Sequence, residues 1–260
     1  MVAYSSKVKG EFESQTITGE EILNESDIAH LPAPVRKYII YSGALGKSKP
    51  QNMRITFEAE MFSKPGAKPM NATSEQYNFY RDYTRLFLMK ARKFLIPFHA
   101  FHVYRNQEAT FKVRVVNLFN IVDVKGEELT TAETVTLLND MCIFVPGNLY
   151  DKRLSWKEID SLSSQVTLQN GRYKVSAILY FNEKGELINF VSDDRSALQD
   201  DGIMKRVRWT TPVGDYKDFD GRRIPTYGET IWNYPEGDFT YGIFRLKNII
   251  YNVSCYESVK

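Results

Sequence analysis

Two histidines, His99 and His102, lie three positions apart in the chain. On a helix this spacing would bring both imidazoles to one side, where they could bind a metal ion, whereas on a strand it directs them to opposite faces. Pro97 and the neighbouring aromatic residues favour a strand. The sequence therefore predicts no metal site here and no cofactor.

Carboxylates are the second group that could do chemistry. Asp193 and Asp194 precede Arg195 at the end of a predicted strand, and Glu229 lies on another. A carboxyl with a raised pKa in a cavity could serve a hydrolase or an isomerase. Alternatively, Asp193, Asp194 and Arg195 form a solvated charge cluster, or a carboxylate pairs with the arginine and holds the strand end in place. No fingerprint of a nucleophile elbow, a zinc protease, a Walker loop or a dinucleotide-binding loop is present, so we predict no catalytic residue.

The aromatic residues are more informative, with 16 Phe and 16 Tyr in the chain. In the predicted strands around residues 77–80 and 241–244, aromatic residues occupy both odd and even positions, so they would lie on both faces of the strand. A sheet exposed to water on one side would carry apolar residues on one alternation only. Either helices cover the second face or the sheet curls around an interior, which would be an aromatic core or a lined apolar cavity.

A lined cavity would bind a lipid or another apolar small molecule. Trp232 lies on a long strand beside one with aromatics on both faces, and an indole, with a large apolar face and one donor, suits the mouth of a cavity. The predicted ligand-binding residues are Gln76, Phe79, Tyr104, Trp232 and Tyr241.

Turn signals divide the chain into short alternating strands. Asn170-Gly171 is predicted to be a two-residue hairpin turn before the alternating run 173–181, because both residue types tolerate positive φ. The other predicted strands, which bring the total to about nine to eleven, are 54–62, 73–81, 85–91, 98–106, 109–123, 166–169, 186–191, 214–219, 222–234 and 239–253. For some of the runs from 73 to 123, the pattern is compatible with a single strand, a bent strand or two strands.

Helices are few. Thr130 and Glu133 fit a capping box, and apolar residues then recur at helical spacing as far as Val145. An earlier helix is predicted over residues 34–42. One helix of about four turns cannot bury its apolar stripe alone, so we expect it on the concave face of the sheet. The predicted fold class is mainly β (α+β): a strongly curved antiparallel sheet, or unclosed barrel, wrapped around one central helix.

Composition predicts a soluble protein. The net charge of +2 leaves no electrostatic footprint for nucleic acid, and no apolar run is long enough to span a membrane.

Residues 2–15 are polar and without periodicity, so we expect residues 1–26 to be an N-terminal stalk or linker and residues 27–256 to be a single domain. Such a stalk could follow a membrane anchor, or it could be the frayed terminus of a cytoplasmic protein.

A resemblance to a known family spans most of the chain. Residues 31–38, Leu-Pro-Ala-Pro-Val-Arg-Lys-Tyr, resemble the L-P-x-P-[VA]-R-x-Y opening of a functionally uncharacterised bacterial domain family. The similarity continues through Gln76, 138–140, 144–146, 154–156, 181–185, Arg195, 224–226 and Trp232. That family has no established catalytic residues. By architecture, the predicted fold is also similar to the unclosed barrels of bacterial lipoprotein carriers, which hold acyl chains under a helical lid.

These observations predict a non-enzymatic module of the bacterial cell envelope that binds an apolar or acyl-bearing ligand between the sheet and the helix. A carboxylate-dependent hydrolase or isomerase that uses the same cavity is the alternative. Peripheral or anchored association with a membrane is left open, and the sequence predicts no oligomeric state.

Overall fold

This computed structural model describes residues 2–93, 96–115, 119–199 and 202–257. These ranges contain the helices α1 Val2–Ser14, α2 Glu25–Ile28, α3 Ala33–Tyr41 and α4 Glu127–Phe144, none of which is long and apolar enough to cross a membrane. The strands are β1 Asn52–Met61, β2 Met70–Phe79, β3 Thr84–Lys93, β4 Ile96–Arg105, β5 Glu108–Val115, β6 Phe119–Lys125, β7 Leu154–Asp160, β8 Ser163–Asn170, β9 Tyr173–Phe181, β10 Leu187–Ser192, β11 Ser196–Leu198, β12 Met204–Arg206, β13 Arg208–Phe219, β14 Arg222–Tyr234 and β15 Gly237–Tyr251.

Thirteen of the strands form one antiparallel sheet in the order β6-β5-β4-β3-β2-β1-β15-β14-β13-β10-β9-β8-β7. The chain builds one half outwards from β1 to the edge strand β6, then starts again at the opposite edge with β7 and returns to the centre, where β15 pairs with β1. Because β6 and β7 lie at opposite edges, the curved sheet is not closed. The predicted fold class is confirmed, and α3 covers the predicted helix 34–42.

The sheet has two strands more than the upper end of the predicted number. The predicted strand 109–123 is in fact the pair β5 and β6, and β7 was not predicted. In β7, Leu154 is buried but most of the following residues are exposed. This edge strand therefore lacks the alternation by which a half-buried strand is recognised.

Helix α4 joins the two edge strands, since it follows β6 and precedes β7. It contacts β4, β5 and β6 in one half of the sheet and β9, β10 and β14 in the other. The central helix is therefore confirmed, but it begins one turn earlier than predicted, and the capping box is wrong. Gly126, with a φ of 129°, precedes the helix, and the Thr130 hydroxyl donates to the Gly126 carbonyl at 2.8 Å from inside the first turn.

The N-terminal segment is a packed helix and not the predicted stalk. Tyr4 and Val8 of α1 are buried, and Phe12 contacts Tyr77 and Phe79 edge-on, with ring centroids 5.8 and 5.1 Å away. Tyr4, Val8 and Phe12 recur every four residues, which is the stripe of an amphipathic helix. The polar residues between them hide this signal. The division of the chain at residue 26 stays a prediction.

Strands β8 and β9 form the predicted tight hairpin, but its loop lies one residue later than expected. Asn170 pairs with Tyr173, so the loop is Gly171-Arg172. Gly171 has a φ of 59°, and positive φ at the first loop residue is what a type II′ turn requires. Asn170 stays in the strand, where its Nδ2 donates to the Tyr104 hydroxyl at 2.7 Å.

We expect Gly171→Val to lower the free energy of unfolding by about 1–3 kcal/mol, because a β-branched residue is strained at positive φ. A Cβ at this position would also overlap the Gln107 side chain. Gly214→Val is the matched control, since Gly214 has ordinary strand geometry and open space at its Cβ position. Urea unfolding of both variants gives the measurement, and equal midpoints for the two would contradict the assigned turn.

Candidate functional site

A cavity of about 410 Å³ lies between α4 and the concave face of the sheet. This volume is within the range of small-molecule sites, roughly 300–1,000 Å³. The walls are largely apolar and come from both halves of the sheet and from the helix; they include Phe57, Phe87, Met89, Phe111, Phe144 and Phe244.

The short hairpin β11–β12 supplies part of the wall. Ser196, Leu198 and Met204 line the cavity, while Ala197 is buried in the main core. The sequence analysis did not identify this hairpin, because strands of three residues are too short to show an alternation.

A buried ionic network lies at one side of the cavity, and Arg85 of β3 is its centre. The Arg85 Nε donates to Asp140 Oδ2 at 2.7 Å, its Nη1 to Glu133 Oε2 at 3.2 Å and its Nη2 to Gln76 Oε1 at 3.0 Å. The Asp140 Oδ2 also accepts from Gln76 Nε2 at 2.7 Å and from Asn78 Nδ2 at 3.2 Å. Every charge of this network thus has a partner, as burial requires.

Glu133 lies on α4 between the charges of the network and a histidine. Its Oε1 is 3.1 Å from His102 Nδ1, and only 2% of its side chain is exposed. Burial by itself raises the pKa of a carboxyl group. Here the charge and hydrogen bond of His102 and the charges of Arg85 and Arg195 outweigh burial and lower the pKa of Glu133 to about 2.

A second arginine lies among aromatic rings. The Arg195 guanidinium is 4.3 Å from the ring centroid of Trp209 and 4.9 Å from that of Trp232. Its Nε donates to Thr136 Oγ1 and its Nη1 to the Tyr241 hydroxyl, both at 3.2 Å. Trp209 Nε1 donates to the same hydroxyl at 3.1 Å. This aromatic cluster of Arg195, Trp209, Trp232 and Tyr241 forms one corner of the cavity.

The structure brings three of the five predicted ligand-binding residues together. Gln76, Trp232 and Tyr241 line the cavity, and their role in binding stays a prediction. Phe79 does not line it, because it is an odd number of residues from Gln76 on one strand and so points to the opposite face, under α1. Tyr104 is on the cavity side, but α4 packs directly on it and Thr134 Oγ1 lies 3.1 Å from its hydroxyl.

The carboxylates considered for catalysis are mostly elsewhere. Asp193 pairs with Arg208 at 2.7 Å and Asp194 pairs with Arg206, so both hold the strand end and neither lines the cavity. Glu229 does line it, and the Tyr227 hydroxyl donates to it at 2.8 Å. The buried acids Glu133 and Asp140 were missed as site residues. The signal available in the sequence was their spacing, because two acids seven residues apart in a helix lie on the same face.

The two histidines of β4 lie on opposite faces, as predicted. His102 lines the cavity and stacks on Phe111 with ring centroids 4.0 Å apart, whereas His99 does not line it. In the described ranges, no group of three or more His, Cys, Asp or Glu side chains could hold a metal ion.

An unclosed antiparallel sheet, a buried helix across its concave face and an apolar cavity between them define the structural class of this protein. The chain belongs to DUF6544, a family of unknown function, which matches residues 21–244. No curated protein matches the sequence.

The solved structures with a similar architecture include a DUF1329 family protein, a LolA superfamily protein and a domain named for lipoprotein sorting. A DUF1329 family protein from Desulfovibrio piger has a TM-score of 0.49 and 10% identity, over 91% of this chain and 96% of that one. A LolA superfamily protein from Nitrosomonas europaea has a TM-score of 0.43 and 7% identity, over 87% and 94%. A domain from Vibrio parahaemolyticus, named for outer membrane lipoprotein sorting, has a TM-score of 0.41 and 7% identity, over 79% of this chain and 87% of that one. At these TM-scores the matches carry no argument about function.

We expect Arg85→Met to lower the free energy of unfolding by about 3–5 kcal/mol, because it leaves the buried Asp140 carboxylate without its cation and removes one of the cationic partners of Glu133. Arg208→Met is the matched control, since it removes an exposed pair with Asp193, which should contribute about 0–1 kcal/mol. Chemical unfolding of both variants measures the difference. Similar losses in the two would show that the buried network does not stabilise the fold.

The lowered pKa of Glu133 predicts a pH dependence. Because the pKa of about 2 in the folded state is below the ordinary 4.5, the charged carboxylate stabilises the fold above about pH 4.5, and this contribution is lost as the pH falls towards 2. The stability advantage of the natural protein over Glu133→Gln should therefore shrink across that interval. Unfolding of both proteins at a series of pH values measures it, and a constant difference would refute the assignment.

Proposed function

We propose that this protein is a non-enzymatic binding module that shelters the apolar part of a lipid-type ligand between α4 and the sheet. The observation that carries the proposal is the cavity of about 410 Å³ with aromatic and aliphatic walls. We propose the bacterial cell envelope as its location. Peripheral or anchored association with a membrane is part of the same proposal.

The energy available from such a cavity is sufficient for binding. Burial of an acyl chain contributes about 0.8 kcal/mol per methylene, so ten methylenes supply about 8 kcal/mol before the cost of ordering the chain. A free energy of that size would correspond to a dissociation constant of about 1 μM if ordering cost nothing, so this is the upper limit of the affinity that ten buried methylenes alone can give. No charged catalyst is needed for this function.

The enzymatic alternative has less support. A carboxylate-dependent hydrolase or isomerase needs a carboxyl group with a raised pKa inside the cavity. The pKa of Glu133 is instead lowered to about 2, and Asp140 accepts three hydrogen bonds. Asp193 and Asp194 do not line the cavity, and Glu229, which does, accepts hydrogen bonds from the hydroxyls of Tyr227 and Thr240. The binding module is therefore the function that we propose.

Binding of a neutral apolar fluorophore tests the proposal. We expect N-phenylnaphthylamine to bind with micromolar affinity, decanol to displace it, and solvent extraction of the purified protein to release a co-purified lipid. Trp232→Ala should weaken binding by roughly tenfold, equivalent to about 1.4 kcal/mol of lost contact.

The matched control is Trp156→Ala. Trp156 is half-buried outside the cavity, and its Nε1 donates to the Leu149 carbonyl at 3.1 Å. This variant should lower thermal stability without weakening the binding of the fluorophore. If neither the fluorophore nor decanol binds the natural protein, or if both variants lose binding equally, the proposal is wrong.

A further inference from the structure

The two arginines that line the cavity differ in their surroundings. Arg85 has both carboxylate partners, Asp140 and Glu133, within 3.2 Å. Among the described residues, Arg195 has no carboxylate oxygen within 4.0 Å, the limit for an ion pair. A cation without an anion in a largely apolar cavity is costly unless something else compensates for it.

The contacts of Arg195 with the described residues leave the Nη2 group of its guanidinium without an acceptor. A guanidinium has five N–H donors in one plane, and two of them are used, by Thr136 and by the Tyr241 hydroxyl. Trp209 and Trp232 lie against the guanidinium at 4.3 and 4.9 Å. The described residues provide no acceptor for Nη2. An Arg195 Nη2 group in this position can donate to an oxygen of a carboxylate or a phosphate.

The neighbouring polar groups hold this arginine in place. The Thr136 hydroxyl donates to the Ala132 carbonyl at 3.0 Å, which directs an oxygen lone pair at Arg195 Nε. The Tyr241 hydroxyl accepts from both Arg195 and Trp209, so its own proton is available as a further donor to a ligand. The cation and this donor belong to the same corner of the cavity.

Two of the other acids of the cavity, Asp140 and Glu133, have a cation partner, whereas Glu229 has hydroxyl partners only. Asp140 and Glu133 are bonded to Arg85, and Glu133 is also bonded to His102. Glu229 accepts from the hydroxyls of Tyr227 at 2.8 Å and Thr240 at 3.3 Å. Glu133 is near enough for the charge of Arg195 to affect it, but it does not pair with Arg195. An anion that entered the cavity would therefore find Arg195 as its available cation.

Building on the proposed function, we infer that the ligand is an amphiphile with one anionic head group, a carboxylate or a phosphate, which Arg195 binds while the tail lies along the phenylalanine and methionine walls. Such a ligand would pair with the Arg195 guanidinium and cover the apolar walls at the same time. Uncharged lipids would gain only the second of these two contributions.

Competition against bound N-phenylnaphthylamine at neutral pH tests the inference, with decanol, decanoate and decyl phosphate as competitors of equal chain length. A charge-assisted pair should make decanoate or decyl phosphate bind roughly ten- to a hundredfold more tightly than decanol. The tighter of the two anions separates a fatty-acid ligand from a phospholipid-type one. Arg195→Gln should remove the preference, so that decanoate, decyl phosphate and decanol bind this variant with similar affinities.

Arg206→Gln is the matched control, because Arg206 is an exposed arginine on β12 that does not line the cavity; it should keep the preference. Arg195→Lys, which keeps the charge without the planar pair of donors, should retain part of the preference. It serves as the second variant if Arg195→Gln does not fold.

Equal binding of the acid and the alcohol to the natural protein would overturn the inference but not the proposed function. A preference that survives in Arg195→Gln would overturn it as well, whereas no binding of any competitor or fluorophore would overturn both.

Discussion

The path of α4 is the constraint on which the rest of the structure depends. The strands before and after this helix, β6 and β7, lie at opposite edges of a thirteen-stranded sheet, so the connection must cross the sheet. With 18 residues at about 1.5 Å each, α4 is about 27 Å long, and it contacts strands of both halves of the sheet. Most of its residues are buried as a result. A helix in that position leaves space beside it where the sheet curves away.

Burial of α4 places polar side chains in the interior, and their need for partners explains the layout of the cavity. An unpaired buried charge costs several kcal/mol, so Glu133 and Asp140 require a cation within reach. Arg85 provides it from β3, and Gln76 completes the set from β2. The network thereby fixes the helix against one half of the sheet. In the other half, Arg195 is held by aromatic rings and hydroxyls, which stabilise its position without neutralising its charge.

The sequence predicted those features that depend on neighbouring residues. The alternation in β9 appears in its burial, with Tyr173, Val175, Ala177, Leu179 and Phe181 buried. The loop of the preceding hairpin was predicted one residue too early. The Asn-Gly sequence is compatible with two loop positions, and the pairing of the strands selects one of them. Helix α1 was missed because its stripe is only three residues long and its partner surface is on β2, some 65 residues later in the chain.

The sequence by itself determined the class of fold, the turn positions to within a residue or two, and the presence of aromatics on both faces of the sheet. Only the tertiary structure decided whether those aromatics fill a core or line a cavity, because that depends on the separation between α4 and the sheet. It also decided that Gln76, Trp232 and Tyr241 share one space while Phe79 lies under α1. Period-two alternation tells which residues share a face but not which face is concave, and long-range packing alone brings distant strands around one interior.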